Sequence, residues 1–264
     1  MTVFNSVGES MGNCILCRRP AAKNPFYIES VCLNIYSIEE LCFFLKNNPA
    51  LAYDVISSPS LAQWIFEECG IKSVVKEFAA LPTDENNSSR RMFWIFEKSK
   101  FFTENELRVL RVDMEKLDSM DPVIRRRKKA DALVKYGKYK RGIECYESLL
   151  KDENVKELTI RADIYYNMGA AFERLFQSGR ALECFIKAYE CESTEENLKA
   201  CLNASYFDGG REALIAEAER LGANEGLVSQ AIEEAQSSSV CDFADDPSSN
   251  ADEWIRTYHM NVDN

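Results

Sequence analysis

The sequence predicts an all-α protein, with a helical N-terminal domain, a short array of helix hairpins and a disordered acidic tail. Three observations predict it. Apolar residues recur at three- and four-residue spacing along most of the chain, which is the period of a helix with one buried face. From about Asp121 the pattern repeats itself as helix pairs. With only 11 glycines and 7 prolines and with 46% hydrophobic residues, the 264-residue chain has the composition of a globular protein that can bury a sizeable core.

The organisation follows in chain order. Residues 1–24 read as a flexible N-terminus carrying Cys14-Ile15-Leu16-Cys17. Residues 25–120 read as the helical N-terminal domain. Its first part, Phe26 to Ile35, is rich in β-branched and aromatic residues and predicts a short extended segment. Ser37 and Glu40 form a capping box ahead of Leu41, Phe44 and Leu45, and Asn47-Asn48-Pro49 ends that helix. Further helices are expected at about 49–56, 60–69, 71–81, 89–99 and 103–118, with Thr83 to Ser89 as a loop. Trp64, Phe93, Trp94 and Phe96 sit at helical spacing and are expected to pack rather than bind.

Residues 121–236 form the repeat region. One unit carries Ala130, Leu133, Gly137, Tyr139, Gly142, Tyr146 and Leu149; a second carries Tyr165, Met168, Gly169, Phe172, Ala181, Phe185 and Ala188. Small residues at Ala130, Gly142, Gly169, Ala181 and Ala188 let two helices approach closely, and the large Tyr146, Phe172 and Phe185 fill the space around them. These units resemble the tetratricopeptide repeat. Gly142 and Ala181 lie 39 residues apart, against 34 for that family, so Glu153 to Glu157 are expected to lengthen the connection. A third unit, near Glu195 to Leu221, keeps small residues at Cys201 and Ala213 but lacks the aromatics, and a closing helix is expected near Glu225 to Gln236.

The resemblance implies a right-handed α-solenoid whose first helices line a concave groove that holds a peptide or partner helix. The corresponding groove residues are Arg127, Lys135, Tyr166, Asn167, Arg174 and Lys199, with Asp131, Asp163, Ala170, Leu198 and Leu202 beside them. Some family members clamp a C-terminal carboxylate. Arg127, Asn167 and Lys199 fall near those positions, whereas Asp131 stands where Asn is expected and Glu195 where Lys is expected. The stretch Pro25 to Leu45 also resembles the opening of uncharacterised clostridial proteins, a likeness that implies no activity.

Chemistry is narrowed by what the chain lacks. It has one histidine, His259, five residues from the C-terminus, so no Ser-His-Asp, Cys-His or HExxH site is expected. No phosphate-binding glycine loop occurs. The expectation is a non-catalytic interaction adaptor without a cofactor. The alternative is a zinc-binding regulatory protein, in which Cys14 and Cys17 would need Cys32 and Cys42 to complete four ligands; the other reading of the cysteines is a reduced, metal-free pair. No signal peptide is visible in Met1 to Ser10, and no apolar run approaches the roughly 20 residues that span a bilayer, so a soluble, cytoplasmic protein without membrane contact is expected.

The net charge of -11 is unevenly spread. Residues 122–192 hold 15 basic and 11 acidic side chains, whereas residues 193–264 hold 4 and 15. The acidic total argues against nucleic acid as a partner, and the basic run Arg125 to Lys129 reads as a solvated first helical turn. A basic array favours an acidic peptide as its partner. The chain's own tail, residues 237–264, is one candidate, since it joins many carboxylates to an apolar island at Trp254, Ile255, Tyr258 and Met260.

Overall fold

The computed structural model describes residues 3–4, 10–11, 17, 20–71, 77–78, 80–82 and 88–239. It is mostly helical. Two short antiparallel pairs join β1 (Val3–Phe4) to β2 (Ser10–Met11), and β3 (Phe26–Ile28) to β4 (Leu33–Ile35). The segment expected to be merely extended is therefore a hairpin. Phe26, Ile28 and Ile35 face inward and Tyr27 outward, as alternation across a half-buried strand requires, and the turn closes with Cys32 at φ 55.

Helix α1 (Ile38–Asn47) starts at Ser37, whose hydroxyl accepts from the Glu40 N–H at 3.1 Å. The return bond differs from a standard box, because the Glu40 carboxylate accepts from the Tyr36 N–H instead. A 3₁₀ turn (Pro49–Leu51), α2 (Ala52–Ile56), α3 (Pro59–Glu67), α4 (Ser88–Ser99) and α5 (Glu104–Asp118) complete the N-terminal domain. Most of the helix expected at 71–81 lies outside the described residues. Trp64 is buried against Phe26 and donates to the Asn24 carbonyl at 2.9 Å. Arg91 is buried as well: its guanidinium serves the Ile56, Phe78 and Leu81 carbonyls and lies over the Phe78 ring.

The repeat region then stacks as helices α6 (Pro122–Lys135), α7 (Tyr139–Leu150), α8 (Leu158–Glu173), α9 (Ser178–Cys191), α10 (Glu195–Leu221) and α11 (Glu225–Ser239). Helix α10 is broken at Gly209 and Gly210, where Gly210 takes φ 74, so residues 195–208 and 211–221 form a third hairpin with almost no loop. Short connections between packed neighbours make successive helices antiparallel. Consequently α6, α8, the first half of α10 and α11 run in one direction. The longer connection at residues 151–157 sits where the 39-residue offset requires it, with Val155 buried as its anchor.

The two regions share a seam. Leu133 belongs to the N-terminal core, Tyr136 packs on Phe44 at 6.0 Å between ring centroids, and Lys129 pairs with Asp54 at 2.8 Å. The basic run is thus not a solvated turn. Arg125 is buried and donates to the Asp118 and Met120 carbonyls, Arg126 pairs with Asp152, and Lys128 is exposed. The closing helix α11 extends three residues beyond the expected Gln236 to Ser239. Residues 240–264, including the apolar island, lie outside the described residues, as does Cys14.

Candidate interaction surface of the helix array

Close approach of the paired helices creates the surface. A Cβ on Gly169 would stand 2.8 to 3.0 Å from three atoms of the Phe185 ring, and one on Gly142 would stand 2.6 Å from Cγ2 of Val134. Only glycine admits these contacts. Ala130, Ala181 and Ala188 are wholly buried in the same layer, with Tyr146, Phe172 and Phe185 filling the gaps between them. The eight residues expected to pack the repeat are therefore all internal.

On the face formed by the first helices, polar residues are paired between neighbouring units. Arg127 of α6 forms an ion pair with Asp163 of α8. Asp131 accepts from the Tyr146 hydroxyl and from the Asn167 amide, the latter at 3.1 Å. Burial and the Asp131 carboxylate raise the Tyr146 phenol above its ordinary range, so this hydroxyl stays a donor. Tyr166 is half-buried, its ring edge-on to Phe185 at 5.4 Å. Loss of solvent raises its hydroxyl pKa, and the Glu196 and Glu173 charges add to that. Lys199 of α10 pairs with Glu234 of α11 at 2.6 Å.

The expected groove residues do not all meet. Arg127, Tyr166, Asn167 and Lys199 contact partners on adjacent first helices, whereas Lys135 is exposed at the seam with the N-terminal domain and Arg174 is exposed at the end of α8. Leu198 and Leu202 are core residues, not surface ones. Charge on this face is mixed, because Arg127 and Lys199 are each held by a carboxylate. Sequence spacing located these cations but could not show the acids opposite, which come from other helices.

Much of the array's positive charge lies elsewhere. Lys135, Lys138, Lys140 and Arg141 surround the α6–α7 turn, and Arg141 donates to the Glu29 carbonyl at 2.7 Å. Lys138 and Tyr27 lie beside the exposed Cys32 thiol, whose pKa falls chiefly through the hydrogen bond with Tyr27 and then that with Lys138. Cys42, in contrast, is buried, and its thiol is pushed up to about 12 by burial. Cys32 and Cys42 thus occupy different surroundings. Among the described residues no three His, Cys, Asp or Glu side chains come together as a metal site. Nor is any helix among them long and apolar enough to cross a membrane.

Compared with known proteins, the chain matches no protein-family model and no curated protein. The molecule's class accordingly rests on its own architecture, that of a mostly helical, all-α protein.

Proposed function

We propose that the protein is a non-catalytic interaction adaptor of tetratricopeptide type that receives a peptide or partner helix on the face formed by α6, α8 and the first half of α10. The observation that carries this reading is the half-exposed strip at Tyr166, Asn167 and Ala170. It is bounded by the Arg127–Asp163 pair on one side and by Glu196 and Lys199 on the other. Such a strip offers an aromatic edge, an amide and fixed charges of both signs, which suit a peptide carrying both polar and apolar side chains. Because Arg127 and Lys199 already have carboxylate partners, a clamp for a free C-terminal carboxylate would have to displace them.

Tyr166→Phe and Asn167→Ala test the reading. Tyr166→Phe keeps the ring against Phe185, and Asn167→Ala leaves Asp131 its bond from Tyr146. Both variants should retain the helical circular dichroism spectrum while losing at least about threefold in partner affinity, of the order expected for one hydrogen bond. Undiminished binding by both would remove the proposal.

A further inference from the structure

We propose that the chain's own segment 252–260 docks in the cavity at the seam between the N-terminal domain and the first hairpin, a surface separate from the strip at Tyr166. The cavity measures about 360 Å³. Its walls include Leu33, Tyr36, Phe43, Asn47, Tyr136 and Lys135. Leu33, Tyr36 and Phe43 are 36%, 41% and 37% exposed, an unusual concentration of uncovered apolar side chains around one concavity. Lys135 stands at the rim, with Lys138 nearby beside Cys32. The Glu40 carboxylate in the wall is engaged by the Tyr36 N–H.

Topology points to the occupant. Helices α6 and α11 run in the same direction, so the C-terminal end of α11, at Ser239, lies on the same edge of the array as the C-terminal end of α6, at Lys135. Three steps between same-direction helices, each about 8–10 Å, separate the two by about 25–30 Å. Residues 240–251 supply 12 residues before Asp252, enough to span about 40 Å when extended. The edge between the two points carries two further uncovered rings at its turns, Phe176 at 94% and Phe207 at 52% exposure.

The chemistry also fits. Residues 240–264 hold six acidic side chains and one basic one, and Asp252 and Glu253 immediately precede Trp254 and Ile255. The edge presents Lys135, Lys138, Lys140, Arg141 and Arg174, against Glu29, Glu40, Glu173 and Asp208. Trp254, Ile255 and Tyr258 supply apolar side chains for the wall at Leu33, Tyr36 and Phe43, while Asp252 and Glu253 face Lys135. Tethering at about 1 mM effective concentration makes even a weak contact, with Kd about 0.3 mM, slow amide exchange beneath it about fourfold.

Hydrogen exchange read by mass spectrometry on the full chain tests this. The wild type is compared with the Trp254→Ala/Tyr258→Ala double variant, whose changes lie outside the described residues. Amides of residues 33–48 should exchange about fourfold faster in the variant, and Lys135→Glu should reproduce most of that gain. Equal exchange in wild type and double variant would overturn the proposal. So would protection that appears at residues 158–174 instead, which would place the segment on the partner strip, or protection that grows with protein concentration, which would mean a second copy supplies the segment.

Discussion

Gly169→Ala separates close helix packing from ordinary helix propensity. A methyl group there would sit 2.8, 2.9 and 3.0 Å from three atoms of the Phe185 ring, against an optimum near 3.5–4.0 Å for carbon pairs. The ring is 2% exposed and is also held by Tyr166, so it must move by more than half an ångström in a filled layer. Overpacking of this kind costs about 2 kcal/mol, whereas removing a mid-helix glycine gains about 1 kcal/mol. The net expectation is a loss of about 1 kcal/mol. In a Phe185→Leu background the clash disappears, so Gly169→Ala should stabilise by about 1 kcal/mol, giving a coupling of about 2 kcal/mol. Urea unfolding followed by circular dichroism measures all four proteins of the cycle. A gain in midpoint for Gly169→Ala alone, or additivity within about 0.5 kcal/mol, would refute the packing argument.

Three further outcomes are expected. Arg91→Ala should lower stability by about 3 kcal/mol, because three backbone carbonyls lose their donor, while exposed Arg90→Ala should be nearly neutral in the same urea titration. Phe176→Gly should hold or raise stability by up to about 1 kcal/mol, since Phe176 adopts φ 57 while exposing its ring, and thermal unfolding would reveal any loss instead. Iodoacetamide at pH 8 should label Cys32 well before Cys42 and Cys201, whose thiols burial pushes up to about 12; peptide mapping that found Cys42 labelled first would contradict the assigned surroundings.

Local signals in the sequence specify much of the architecture. Ser37 and Glu40 mark the start of α1 because their bonds span four residues and need no distant partner. The 39-residue offset is legible for the same reason, and it aligns Gly137 with Phe176. Both close their helix in a left-handed turn, with equivalent bonds from Gly137 to Val134 and from Phe176 to Glu173, each at 2.9 Å. The phenylalanine hides that turn, since residue type there favours glycine. What depends on docking was not legible. The acid that neutralises Arg127 lies 36 residues away on another helix, and Arg125 is buried because the α5–α6 turn offers it two carbonyls. Leu133 and Tyr136 likewise find their partners across the seam, in a domain with a different pattern.

The proposed role turns on which face of the array takes a partner. Quantitative affinity capture with the full chain, comparing wild type, Tyr166→Phe, Asn167→Ala and the exposed α9 control Glu183→Ala, measures that most directly. At least one captured protein should be retained equally by wild type and Glu183→Ala and depleted about threefold or more by both strip variants. Retention of every captured protein at equal levels by all four chains would contradict the proposed role.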